Sequence, residues 1–101
     1  MGSRARVGRY CILNSGSQLD HDGLLEDFCS LAPGAVLGGS VRIGTRTAVG
    51  IGVVVKHGIS IGSDSVVGAA TYVHTDLPER VVAFGTPARV QRTRAVGEPY
   101  L

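Results

Sequence analysis

Aliphatic residues recur at every sixth position of this chain. A period of six does not match an amphipathic helix, whose apolar positions recur every 3.6 residues. It matches a short strand followed by a turn, repeated many times. The column contains only Val, Leu and Ile, without an insertion: Val7, Leu13, Leu19, Leu25, Leu31, Leu37, Ile43, Val49, Val55, Ile61, Val67 and Val73.

Two further columns of the repeat are restricted in size. The residue four places after each aliphatic position is mostly small, and the next aliphatic residue follows two places later. Residues two apart in a strand share a face, so both columns are predicted to point inward. The residue directly after each aliphatic position favours glycine and short polar residues. We interpret this preference as the conformational freedom that a tight corner requires.

Three repeats close one triangular turn of 18 residues, which predicts an all-β fold: a single parallel β-helix of about four triangular coils. Residues 7–78 hold the twelve repeats and form this β-helix. Residues 1–6 are predicted to be an N-terminal cap or a tag remnant, and residues 79–92 a C-terminal capping segment. Residues 93–101 leave the repeat and are predicted to be a flexible tail or an arm between subunits.

The composition agrees with a narrow, repetitive core in one small domain. Glycine accounts for 15 of the 101 residues, about twice the usual ~7%, and tryptophan is absent. A thin prism leaves no space for indole rings. The net charge of +2 is too small to predict binding to nucleic acid or to a membrane surface.

Two cysteines and the scattered arginines carry less information. Cys11 and Cys29 lie 18 residues apart at the same inward position, and we expect two buried thiols rather than a disulfide. This expectation favours a reducing, cytoplasmic location. The arginines near the two ends are predicted to be solvated: Arg4, Arg6 and Arg9, and Arg89, Arg92 and Arg94.

Candidate chemistry centres on His21. It lies between Asp20 and Asp22, at the third repeat position and therefore at an outward corner. Flanking carboxylates stabilise an imidazolium and fix the ring's orientation, as a general base requires. His57 occupies the same repeat position two turns later, and His74 lies near the end of the last coil.

Several short motifs on this repeat resemble one family. Over about residues 7–92 the chain resembles the hexapeptide-repeat acyltransferases, whose β-helix is left-handed. The placement of Asn14 before Asp20-His21-Asp22 points to the β-helical half of the sialic-acid and bacillosamine type sugar O- or N-acetyltransferases. The motifs are Asn14-Ser15-Gly16-Ser17, Asp20-His21-Asp22, Leu31-Ala32-Pro33-Gly34-Ala35, Gly58-Ile59-Ser60-Ile61-Gly62, Val67-Gly68-Ala69, Asp76-Leu77-Pro78 and Phe84-Gly85-Thr86-Pro87-Ala88-Arg89.

The resemblance implies an acetyltransferase in which His21 is the general base and Asp22 holds its ring. His21 would remove a proton from an amine or hydroxyl of a small, sugar-like acceptor as that group attacks acetyl-CoA. The backbone N–H of Gly39 would stabilise the thioester oxygen. Asn14 and Ser30 would line the acceptor site, and Ser30 stands where the family has a second histidine.

Acetyl-CoA is the implied co-substrate, and no metal is expected. It would lie in a groove between the subunits of a homotrimer. Relatives carry a nucleotide-binding domain ahead of the β-helix, and this sequence begins where that domain would end. Besides Gly39, the cofactor-binding residues implied by the resemblance are Gly50, Gly52, Gly68, Ala69, Thr75, Pro87, Ala88 and Arg89.

Two other functions stay open. Thr75 replaces a customary lysine, and together with Ser30 it leaves room for a non-catalytic trimeric scaffold with a degenerate site. A zinc site of the γ-carbonic anhydrase type needs three good protein ligands. The three histidines are spread over four coils, and the residue five places after His57 is Gly62.

Overall fold

Twelve two-residue strands wind into a prism of three faces, in a computed structural model that describes residues 2–95. The second residue of each strand is the aliphatic residue of the repeat. The strands are β1 (Arg6–Val7), β2 (Ile12–Leu13), β3 (Gln18–Leu19), β4 (Leu24–Leu25), β5 (Ser30–Leu31), β6 (Val36–Leu37), β7 (Arg42–Ile43), β8 (Ala48–Val49), β9 (Val54–Val55), β10 (Ser60–Ile61), β11 (Val66–Val67) and β12 (Tyr72–Val73).

Every third strand stacks in parallel on the same face, so that residues 18 apart are paired. The first face contains β1, β4, β7 and β10; the second contains β2, β5, β8 and β11; the third contains β3, β6, β9 and β12. The register is constant, as in the pairing of Leu31 with Val49 and of Leu37 with Val55. These are the four coils of a parallel β-helix that the period of six predicts.

Three corners connect the faces, and each is named here by one residue. The His21 corner (residues 20–23, 38–41, 56–59 and 74–77) joins the third face to the first. The Asn14 corner (14–17, 32–35, 50–53 and 68–71) joins the second face to the third. The Tyr10 corner (8–11, 26–29, 44–47 and 62–65) joins the first face to the second.

The core is the stack of aliphatic residues inside the prism. From Leu19 to Val73 every residue of the period-six column is at most 2% exposed. Val7 and Leu13 are 38% and 40% exposed because they lie in the first turn, at the open end of the stack. The small residues of the second inward column are also buried from Gly23 onward.

Buried polar groups of the Tyr10 corner form a ladder between turns. Four residues spaced 18 apart each donate to a backbone carbonyl of the following turn, which satisfies polar groups that have lost water. Both cysteines are free, but only Cys29 is buried as predicted, because Cys11 lies in the first turn and is half-buried. Burial raises the pKa of the Cys29 thiol to about 11. The bonds run from Cys11 to Glu26 (3.1 Å), Cys29 to Gly44 (2.9 Å), Thr47 to Gly62 (2.7 Å) and Ser65 to Pro78 (3.1 Å).

Further chain continues the stack of turns at both ends of the prism. At the N-terminal end, Gly2 N–H donates to the Leu19 carbonyl at 2.8 Å. At the other end, β13 (Val81–Phe84) continues the second face beside β11, and β14 (Arg89–Thr93) pairs antiparallel with β13. Arg94 is not solvated as predicted: it is buried and donates to the Asp64 carbonyl. Residues 96–101 of the predicted tail lie outside the described residues.

Within residues 2–95 the structure has no helix with the length and hydrophobicity that crossing a bilayer requires.

The structure corrects the reason for glycine at the corners. The left-handed conformation falls on the fourth repeat position, which holds Tyr10, Phe28 and Arg46 as well as glycines. Glycine at the second position does not have a positive φ. Where glycine occupies the second position, the next turn approaches closely: a Cβ on Gly38 would lie 2.7 Å from the backbone nitrogen of His57.

This distinction predicts the relative effects of two substitutions. Gly58→Ala places a side chain in open space at φ +76° and should cost about 1–2 kcal/mol through backbone strain. Gly38→Ala forces two turns apart in a close-packed stack, and such overpacking should lower the free energy of unfolding by about 1–3 kcal/mol. Because Gly38 has ordinary backbone angles, only the steric explanation predicts a loss of stability there. Urea unfolding of both variants measures it, and a Gly38→Ala variant as stable as the unsubstituted protein would contradict this explanation.

Candidate active site

His21 lies at an exposed corner with carboxylates on both sides. Its backbone N–H donates to Asp20 Oδ1 at 2.7 Å, and its Nδ1 lies 3.3 Å from Asp22 Oδ2. Asp22 has a φ of 57°, a left-handed conformation that aspartate tolerates better than most residues. The predicted contact between the imidazole and Asp22 is therefore present in the structure.

The imidazole of His21 covers Gly39, which lies at the same position one turn later. A Cβ on Gly39 would overlap His21 Nε2 and Cε1, so the ring can occupy this place only above a glycine. The Gly39 carbonyl accepts a hydrogen bond from the Gly58 N–H at 2.8 Å. Within residues 2–95 the N–H of Gly39 has no acceptor. A ring nitrogen and an unused backbone donor thus lie side by side.

Arg4 holds the far side of Asp22, which the sequence analysis did not anticipate. Its guanidinium donates twice, from Nε to Oδ1 at 2.7 Å and from Nη2 to Oδ2 at 3.0 Å. The hydrogen bonds from Arg4 and then from His21 lower the pKa of Asp22 to about 2. Asp22 therefore remains ionised beside His21 at any pH near neutrality.

The spacing of Arg4 and Asp22 is a signal that could have revealed the pair. They lie 18 residues apart, one full turn, on the outside of the same corner. The same spacing joins Arg9 to Asp27 and Arg46 to Asp64. Opposite charges one turn apart are therefore neighbours in this fold, whereas arginines considered one at a time look merely solvated.

Most of the predicted cofactor residues lie on a different corner from His21. Gly50, Gly52, Gly68 and Ala69 are on the Asn14 corner, and Thr75 is on the His21 corner. The hairpin residues Pro87, Ala88 and Arg89 lie at the upper end of the Asn14 corner. The Ala88 N–H donates to the Tyr72 carbonyl at 2.8 Å, and Thr86 Oγ1 donates to the Ala70 carbonyl at 3.4 Å. The third face separates the residues of the Asn14 corner and the hairpin from His21, whereas Thr75 shares the corner of His21 and Gly39 lies under its ring.

The two predicted acceptor-site residues do not meet His21 within one chain. Asn14 Nδ2 donates to the Leu31 carbonyl at 3.1 Å, so its amide already bridges to the next turn. Ser30 begins β5 on the second face, which is opposite the His21 corner. Only a neighbouring chain could bring these residues toward His21.

The histidines do not form a metal centre with other ligands. No group of three or more His, Cys, Asp or Glu residues in the described part of the chain is arranged to hold a metal ion. His74 instead stacks on Tyr72, with ring centroids 5.9 Å apart.

The ion pair of Arg4 with Asp22 yields a prediction about acid stability. The pKa of Asp22 should rise in Arg4→Ala from about 2 toward the ordinary value near ~3.9. A carboxyl group whose pKa is lower in the folded than in the unfolded protein stabilises the fold at pH values above the unfolded pKa. This stabilisation is lost as the pH falls through the folded pKa of about 2. Arg4→Ala should therefore unfold at a higher pH in acid. NMR titration of the Asp22 carboxyl group measures the change in its pKa. Arg9→Ala is the control and should leave the pKa of Asp22 unchanged. An unchanged pKa of Asp22 in Arg4→Ala would contradict the prediction.

Comparisons with known proteins connect this geometry to acetyl transfer. No family model matches the chain. The galactoside O-acetyltransferase of Lactococcus lactis is 46% identical over 59 residues, which are 58% of this chain and 28% of that protein.

Two solved structures share the fold over most of this chain. A histidine-to-alanine variant of GDP-perosamine N-acetyltransferase from Caulobacter crescentus, in complex with CoA and GDP-perosamine, is 37% identical with a TM-score of 0.90. It matches 91% of this chain and 44% of that one. The acetyltransferase domain of PglB from Neisseria gonorrhoeae, in complex with acetyl coenzyme A, is 26% identical with a TM-score of 0.76. There the match covers 85% of this chain and 54% of that domain.

The chain thus spans about a quarter of the curated relative and about half of the solved structures that it matches. Within that span the likeness extends to the backbone path of all four turns. In sequence and in fold, this chain resembles the left-handed β-helix of the hexapeptide-repeat acetyltransferases.

Proposed function

We propose that this protein transfers an acetyl group from acetyl-CoA to an amine or hydroxyl of a small, sugar-like acceptor. The observation that carries the proposal is the arrangement at the His21 corner. One ring nitrogen faces an ionised carboxylate, and the other lies over Gly39, whose N–H has no acceptor within residues 2–95. The relatives named above support the same reaction class.

His21 acts as the general base in this reaction. Asp22 accepts a hydrogen bond from the Nδ1–H group of His21, which leaves Nε2 unprotonated and able to take a proton from the acceptor. The acceptor nitrogen or oxygen then attacks the thioester carbonyl carbon. The carbonyl oxygen gains negative charge, and the Gly39 N–H stabilises it. The carbon–sulfur bond breaks, and the protonated His21 returns the proton to the CoA sulfur.

The proposed route for CoA follows the third face and the Asn14 corner. Small residues there leave the backbone open to the pantetheine arm, and the hairpin with Pro87 and Arg89 borders the upper end. Two of the similar structures are complexes with CoA or acetyl coenzyme A, which supports the same co-substrate here.

We infer that the active form is a homotrimer in a cytoplasmic setting. Large apolar side chains are exposed on the second and third faces and on the corner between them, including Ile12, Val54, Tyr72 and Ile51, which is 61% exposed. Assembly would cover these side chains. It would also let Ser30 of one chain approach His21 of another. The two free thiols support a reducing compartment.

Replacing His21 tests the proposed base. His21→Ala should lower acetyl transfer by about 10²–10⁴-fold, because general base catalysis contributes that much. Its affinity for acetyl-CoA should stay within about twofold, since most of the proposed CoA residues lie on the Asn14 corner and the hairpin, and Gly39 would contribute through its backbone N–H, which the substitution leaves in place. Release of the CoA thiol, with a galactoside and a nucleotide-linked amino sugar as acceptors, measures transfer. Isothermal titration measures binding.

His57→Ala is the matched control, since His57 occupies the same repeat position two turns later. It should keep its activity. Full activity in His21→Ala would show that His21 is not the general base. Failure of the unsubstituted protein to bind acetyl-CoA at millimolar concentration would favour the non-catalytic scaffold.

Replacing Ile51 tests the trimer. Light scattering should give the unsubstituted protein three times the 10.5 kDa mass of one chain. Ile51→Arg should give a smaller assembly, because a charge would be buried in the interface without a partner. The exposed side chain of Ile51 makes loss of folding in this variant unexpected, and Tyr10→Arg at another corner is the control. A monomeric mass for the unsubstituted protein would contradict the trimer.

A further inference from the structure

A groove on the first face adjoins the His21 corner and shares Arg4 and Asp22 with it. Its volume is about 540 Å³. Arg4, Arg6 and Arg42 line it together with Asp22, Leu24 and Ser40. Asp22 is shared: one of its oxygens contacts His21 and its side chain forms part of the groove.

The groove carries an excess of positive charge. Arg4 is paired with Asp22, and Arg42 donates to Glu26 Oε2 at 2.7 Å. The guanidinium of Arg6 forms no ion pair or hydrogen bond within residues 2–95. The groove is therefore lined by three guanidinium groups and by one carboxylate, that of Asp22. Glu26, on the neighbouring Tyr10 corner, contributes a second carboxylate through its ion pair with Arg42.

The register places the arginines on both sides of an apolar floor. Arg6 pairs with Leu24, and Leu24 pairs with Arg42, so all three point outward from consecutive strands of the first face. Arg6 and Arg42 are two strand spacings apart, roughly 9.6 Å along the stack. Both side chains are long enough to reach across Leu24 toward one bound group.

The balance of charge changes along the first face, with Arg42 lining the grooves at both ends. Higher on the same face a second groove of about 340 Å³ is lined by Glu26, Asp76 and Glu79 together with Arg42. The unpaired positive charge lies at the opposite end, beside the proposed catalytic base. An anion on the first face would therefore be held next to His21.

We propose that this groove binds a phosphate or diphosphate group of the acceptor. Planar guanidinium groups match phosphate oxygens with paired hydrogen bonds, and Arg6 has all of its donors available for this. This inference rests on the proposed function and narrows its acceptor to phosphorylated sugars. The phosphates of CoA are the competing anions, but most of the proposed CoA residues, including Arg89, lie on the Asn14 corner and the hairpin.

Binding of inorganic pyrophosphate tests the groove without turnover. Isothermal titration at low salt should show saturable binding to the unsubstituted protein. Arg6→Ala should weaken it by about tenfold or more, since a hydrogen bond between charged groups contributes about 1.5–3 kcal/mol. The affinity of Arg6→Lys for pyrophosphate should lie between those of the unsubstituted protein and Arg6→Ala. Lysine keeps the positive charge but lacks the paired donors of the guanidinium group.

Arg9→Ala is the matched control, because Arg9 is an exposed arginine of the same turn that lies outside the groove. It should bind pyrophosphate as the unsubstituted protein does. Absence of pyrophosphate binding, or equal losses in Arg6→Ala and Arg9→Ala, would overturn the proposal.

Steady-state kinetics then identify the source of the phosphate. For galactose 1-phosphate or a nucleoside-diphosphate sugar, Arg6→Ala should raise the KM of the acceptor about tenfold and leave the KM of acetyl-CoA unchanged. The transfer rate to an uncharged galactoside should not change. A raised KM for acetyl-CoA would assign the groove to CoA and overturn the proposal. Pyrophosphate binding without any acetyl transfer would refute the proposed function alone.

Discussion

Stacking of 18-residue turns in a single register is the constraint on which the rest of this structure depends. Each strand has only two residues, so no strand is stable by itself, and its backbone bonds are made with the turns before and after it. The aliphatic column is buried only if every turn has the same length. A one-residue insertion would move that column from the interior to the surface.

The same register turns sequence spacing into contact. Residues 18 apart are neighbours on the same face or corner, which places the His21 ring over Gly39 and Arg4 beside Asp22. Because the corners belong to a close-packed stack, these groups are held by a rigid scaffold rather than by a mobile loop. A base and a backbone donor can then keep their geometry without the support of a large domain.

Much of this arrangement could be predicted from the chain alone. The period of six predicts the three faces, the four turns and the inward columns, and the structure confirms them. The reason assigned to the corner glycines was wrong, because composition does not distinguish a left-handed turn from a close approach between turns. Arg4 was overlooked because a lone exposed arginine is normally solvated, and only the 18-residue spacing identifies its partner.

The sequence by itself determined the fold, its core and the position of His21 beside Asp22, since a strict period leaves one way to bury the aliphatic residues. Only the tertiary structure decided which charges pair at spacings other than 18, as Arg42 does with Glu26. Arg4 and Arg42 have carboxylate partners within reach, whereas Arg6 faces Leu24 and has none among the described residues. The physical reason is that partner choice depends on side-chain reach and backbone angle at each corner, such as the left-handed φ of Asp22. The repeat specifies neither.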